Sequence, residues 1–194
     1  NEDPGEVMMM MEEVPAMKWL PFLMLLVFTA VLQTTLAPVL AIGPIRPDWM
    51  LLLAVHYAIW GRWPDAALAA WGLGFAMDLC SANIPGQGTA ALHALTYGAA
   101  ACAILYLRVD LFREHWLTQP AITFVFTWLV HMVIGLVYVK SSTSPTAPGF
   151  FGLFGLSFLT ALYTAVWTPY LLWPLKKLRK WTGLVKKRDL AIAV

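Results

Sequence analysis

Charge is what this chain has least of. Asp, Glu, Lys and Arg make up 12% of its 194 residues, against about 25% in soluble domains. There is too little polar surface to face water on all sides. The mean hydropathy of +0.68 agrees, and 60% of the residues are hydrophobic. Long hydrophilic loops are also lacking. The longest, residues 140–149, leaves no room for a catalytic domain outside a membrane. Cysteine is nearly absent: Cys80 and Cys102 have no CxxC or CxxH spacing and read as small buried hydrophobes. No Walker motif, GxSxG, HExxH, intramembrane serine–lysine pair or aspartate pair occurs. The expectation is a chain that is not an enzyme, with no catalytic, cofactor or metal site and no nucleic-acid partner.

What is present is a series of apolar runs. A spanning helix needs about 20 residues. Runs at 19–42, 48–60, 64–79, 89–107, 117–139 and 150–173 predict an all-α, polytopic membrane bundle of about six transmembrane helices. The second and third are short for a bilayer and are expected as a hairpin held inside the bundle. Asp48 is placed as the N-cap of the second run and Pro64 at the first position of the third. Residues 80–88 form a break rich in turn formers.

Three regions follow: an acidic, Met-rich tail at 1–17, a six-helix membrane domain at 18–175, and a basic tail at 176–194. The first lacks the charged start and apolar core of a signal peptide. Lys18, Arg62, Arg108, Arg113 and the seven cations of the last region fall on one side of a six-span topology. Only Arg46 and Lys140 fall on the other. The positive-inside rule then places both termini of a multi-pass membrane protein in the cytoplasm. Trp19, Trp49, Trp60, Trp63, Trp116 and Trp173 lie near run ends, where indoles favour headgroups. Residues 175–188 read as an amphipathic helix with Leu178, Trp181, Leu184 and Val185 on one side. Its cations are expected to attract anionic lipid, or to dock a cytoplasmic partner.

Asp78 is the most conspicuous polar residue. An acid at a membrane edge is costly and points inward. It can contact an ion, proton or ligand, or it can accept amide bonds from the 80–88 break, and the second is favoured. Gly86 and Gly88 are expected to supply unusual φ angles there. His56, His93 and His131 lie in three different runs with no ligand spacing between them. Each is expected to make one interhelical hydrogen bond. Gly72 and Gly74, Gly152 and Gly155, and Ala90, Ala94 and Gly98 are expected to let helices approach closely.

These segments resemble one family. Val31-Leu32-Gln33-Thr34-Thr35-Leu36-Ala37-Pro38 is similar to the Leu-Gln-Ser/Thr segment of the MreD family of rod shape-determining membrane proteins. Arg46-Pro47-Asp48-Trp49 resembles the opening of its second span. Gly74-Phe75-Ala76-Met77-Asp78-Leu79-Cys80-Ser81, followed by Gly86 and Gly88, resembles its third-span signature. Ala82 stands where that signature has glycine. The resemblance covers roughly residues 18–182.

It implies a non-enzymatic partner subunit of the cell-wall elongation machinery. The implied partners are an MreC-like single-span protein, a RodA-type polymerase with a class B penicillin-binding protein, and the MreB cytoskeleton. It also implies a fold similar to the substrate-binding subunits of energy-coupling-factor transporters. Arg46, Pro47, Asp48, Gly74, Asp78, Ser81, Gly86 and Gly88 then set helix geometry or a partner surface. A vitamin-type transporter subunit is the alternative, motivated by Gln33, His56, Asp78 and His93 in or beside the spans.

Overall fold

The computed structural model describes residues 17–81, 91–107, 118–141, 149–182 and 184. Six helices make up this part: α1 Trp19–Val39, α2 Trp49–Trp60, α3 Trp63–Ser81, α4 Leu92–Leu107, α5 Thr118–Ser141 and α6 Phe150–Thr182. Three are long and apolar enough to cross a membrane: Trp19–Val39, Thr118–Lys140 and Phe150–Leu178. Residues 82–88 of the expected 80–88 break, with Gly86 and Gly88, lie outside the described residues, as do residues 1–16 of the acidic tail and residues 108–117.

The bundle is organised around α2. Residues Trp49 to Ile59 are all buried. A helix apolar on every face has no side to give to water and is stable only when surrounded. The other five helices all pack against it. With 12 residues it spans only about 18 Å at 1.5 Å per residue, so both its ends must be satisfied by neighbours. The expected inner hairpin is therefore half right: α2 is interior, whereas α3 shows Leu68, Trp71 and Phe75 on the outside.

Two helix pairs flank this centre. α3 lies against α4, and α5 against α6. The first contact depends on Gly74. A Cβ there would overlap the carbonyl oxygen of His93 and sit 2.6 Å from the Cα of Ala94. Backbone atoms cannot yield, so glycine is the residue that fits. Its neighbour Gly72 faces open space, as does Gly155. The expected packing role thus falls to Gly74 in α3, and Gly155 takes no such part in α6.

The α5–α6 pair carries buried hydroxyls. Thr123, Thr127, Thr160, Thr164 and Thr168 are all buried. Thr123, Thr164 and Thr168 each donate to the carbonyl four residues back, at 2.9, 2.9 and 3.2 Å. Small side chains that turn their hydroxyls onto their own helix in this way let two helices approach closely, although the Thr127 hydroxyl is buried with no partner among the described residues.

Several boundaries differ from expectation: α1 closes at Val39 and not at 42, and α4 opens at Leu92 and not at 89. α3 continues to Ser81 and carries Asp78 within its last turn. α6 runs through Pro169 and Pro174 to Thr182, so the basic stretch begins as a continuation of the apolar helix and is not a separate element. Lys177 lies 3.9 Å over the Trp173 ring, a cation–π contact that suits a helix leaving an apolar zone. The expected tryptophan belt is partly met. Trp19, Trp63 and Trp173 are exposed, whereas Trp49 is buried against Trp167 with ring centroids 6.2 Å apart.

The ends of the bundle are distinct. Lys18 N donates to Thr182 O at 3.1 Å, and Met17 N donates to the Asp65 carboxylate at 3.3 Å. The starts of α1 and α3 and the close of α6 therefore share one end. The opposite end holds the 40–48 connection. There Ile42 and Ile45 exchange backbone hydrogen bonds at 3.0 and 3.2 Å around Gly43, whose φ of +63° suits a residue with no Cβ.

Ala91 also adopts a positive φ, +69°, just before α4. For a residue with a Cβ this conformation costs roughly 1–2 kcal/mol. Two glycine exchanges should consequently have opposite signs. Gly74→Ala should destabilise the folded protein by about 1–3 kcal/mol through overpacking. Ala91→Gly should be neutral or stabilising by up to about 1 kcal/mol. Thermal unfolding of the two variants in the same detergent measures both.

Candidate functional site

A helix start leaves amides without intrahelical partners, and where water is excluded each unmet group costs several kcal/mol. At the start of α2 those amides are met from three directions. Asp48 N donates to Thr164 Oγ1 of α6 at 3.1 Å. Trp49 N donates to Gln33 Oε1 of α1 at 2.9 Å. Leu51 N donates to Asp48 Oδ1 at 2.9 Å, the expected N-cap. Gln33 also donates through Nε2 to Pro47 O at 3.2 Å. A single amide side chain thereby clasps the chain on both sides of Asp48.

The second oxygen of Asp48 gathers two more helices. Tyr97 of α4 donates its hydroxyl to Oδ2 at 2.5 Å. His131 Nε2 of α5 lies 3.2 Å from the same atom. Asp48 is 2% exposed. A buried carboxylate is tolerable only when its lone pairs are used, and here three donors on three helices use them.

Asp78 does the same for α4. Its Oδ1 accepts from His93 N at 3.1 Å and faces His93 Nδ1 at 2.7 Å, and its Oδ2 accepts from Ala94 N at 3.0 Å. Asp78 receives backbone amides as expected, and the described ones belong to the first turn of α4; residues 82–88 of the 80–88 break lie outside the described residues. A negative group at a helix N-terminus also complements the helix dipole. With Gly74 one turn earlier in α3, Asp78 locks that helix to the start of α4.

The two centres are joined along one face of α4. His93 and Tyr97 are one turn apart, with ring centroids 5.9 Å apart in an edge-on arrangement. His93 belongs to Asp78 and Tyr97 to Asp48. The histidines thus divide: His93 and His131 each pair with a different carboxylate, and His56 is buried elsewhere beside Tyr57.

Of the other sequence candidates, Pro47 is buried and gives its carbonyl to Gln33. Arg46 is exposed, and Ser81 is buried at the end of α3. Tyr97 and Thr164 are not among the sequence candidates, and Gln33 enters there within the family segment and as a motive for the transporter alternative. Gln33 is the most legible of the three, because a glutamine deep in an apolar run must find partners.

A family model described as rod shape-determining protein MreD matches residues 15–175. No curated protein and no solved structure matches the chain.

If Asp48 is the junction, its partners must couple energetically. Asp48→Ala should cost about 3–5 kcal/mol, the scale for breaking a buried charged network. Tyr97→Phe should cost about 1–2 kcal/mol. The double variant should be less destabilised than the sum, by at least about 0.5 kcal/mol. Unfolding of the four proteins of the cycle in a common detergent reads this, and strict additivity would dissolve the proposed link.

Proposed function

Because the chain belongs to the MreD family of rod shape-determining proteins, we propose that it is a non-enzymatic scaffold of bacterial cell-wall elongation. In this reading it binds an MreC-like single-span protein and supports peptidoglycan synthesis by a RodA-type polymerase and its class B penicillin-binding protein, beneath which MreB lies. The observation that carries the reading, beside the family match, is the state of the two buried carboxylates. Asp48 and Asp78 each accept from protein donors on both oxygens. Acids committed in this way hold helices together. A catalytic acid or base instead needs a lone pair or proton directed at a substrate.

The proposed setting is the inner membrane, with both termini in the cytoplasm. The support is the join between Lys18 and Thr182, together with Lys176 and Lys177 at the same end. The transporter-subunit alternative draws on a cavity beside Asp48. Family membership favours the scaffold.

Clean deletion in a rod-shaped host should give round cells. The tagged protein, purified in mild detergent from native membranes, should bring an MreC-like protein in near-stoichiometric amount. Normal rods after deletion would sink the shape role. Recovery of a transport ATPase module without an MreC-like protein would favour uptake instead. A periplasm-dependent reporter fused after Val194 should stay inactive, and activity there would invert the proposed topology.

A further inference from the structure

A cavity of about 640 Å³ lies at the end of the bundle away from the joined termini. Its walls come from the last turns of α1, the 44–48 segment, the end of α3, the start of α4, and the facing halves of α5 and α6. The volume is that of small-molecule sites, about 300–1,000 Å³.

The lining has a definite chemistry. Two of its imidazoles have their roles set by carboxylates. His131 turns Nε2 toward Asp48 at 3.2 Å, and His93 turns Nδ1 toward Asp78 at 2.7 Å. A carboxylate only accepts, so those nitrogens carry the protons. In the neutral rings the other nitrogens, Nδ1 of His131 and Nε2 of His93, are then acceptors. Ser81 and Ser157 are each 5% exposed and line the cavity with their hydroxyl-bearing side chains. Arg46 adds a guanidinium that has no carboxylate in salt-bridge range among the described residues. Leu153, Leu156 and Ile134 supply apolar wall. Asp48 also lines the cavity, but its oxygens are engaged by Leu51, Tyr97 and His131.

A ligand that matches this lining carries one negative charge for Arg46, hydroxyl groups that donate to imidazole and accept from serine, and an apolar portion. We propose that the cavity binds the headgroup of an anionic, hydroxyl-bearing amphiphile, with glycerol phosphate chemistry as the type. The lipid source is the leaflet opposite the basic end of α6. This site is distinct from any attraction of lipid to Lys176 and Lys177, which lie at the other end of the bundle. It does not depend on the scaffold role.

The full chain is placed in nanodiscs of equal phosphatidylglycerol and phosphatidylcholine, released into mild detergent, and read by native mass spectrometry. One tightly held phosphatidylglycerol is expected. Arg46→Glu, on an exposed residue, should weaken its retention at least about tenfold, the scale of one charge-assisted hydrogen bond. Ser157→Leu, which fills the cavity, should do the same. Lys176→Glu with Lys177→Glu should leave it in place. If soluble glycerol phosphate protects against unfolding as well as the lipid does, and Arg46→Glu abolishes that protection, the same chemistry comes from a free anion. Equal retention of the two lipids, with no protection by glycerol phosphate, overturns the proposal. Unchanged retention in Arg46→Glu overturns it as well.

Discussion

A 12-residue helix buried on every side can persist only if the amides of its first turn find partners inside the protein. That constraint converges on Asp48. Its own amide goes to Thr164, the next goes to Gln33, and the amide of Leu51 goes to its carboxylate. Helices α1, α2 and α6 are thereby fixed at one point. The remaining oxygen draws in α4 through Tyr97 and α5 through His131. Four of the six helices bond Asp48 itself, α1 grips its two chain neighbours through Gln33, and α3 is bound to α4 by Asp78 and Gly74. Hydrophobic burial alone would not select this arrangement, because lipid is as apolar as the helices.

The polar groups therefore do the specifying. A buried network that is fully satisfied rewards one packing and penalises alternatives, since any slip leaves a carboxylate or an amide unmet. The same arrangement holds both oxygens of each acid on protein donors. It also leaves one imidazole nitrogen on each of His93 and His131 uncommitted beside the cavity, which is where a ligand can be read without disturbing the scaffold.

The architecture was largely legible from run lengths and punctuation. Asp48 as an N-cap, the prolines at 44 and 47, and the start of α6 at Phe150 follow from local rules that lipid does not change. Two features were not legible. The last run is expected to end at 173, just before Pro174, yet the helix continues through Pro169 and Pro174 to Thr182, because a packed neighbour tolerates a lost hydrogen bond that an isolated helix does not. Trp49 read as a headgroup anchor, yet the centrality of α2 buries it. The site was half legible. Asp48, Asp78 and Gly74 stood out by residue type. Tyr97 and His131 did not, because nothing local tells which of many polar side chains lies across the bundle. The threonines at 160, 164 and 168 repeat every four residues and were visible in principle.

The central claim is that Asp48 serves as a junction and not as a reactive group. It is tested most directly by Asp48→Asn expressed in a rod-shaped host that lacks its own copy, scoring cell shape against the amount of folded protein in the membrane. The account predicts that shape fails only in proportion to folded protein, and that conditions restoring the folded amount restore rods. Round cells carrying a normal amount of stably folded Asp48→Asn protein would contradict it, and would make the carboxylate itself part of the function.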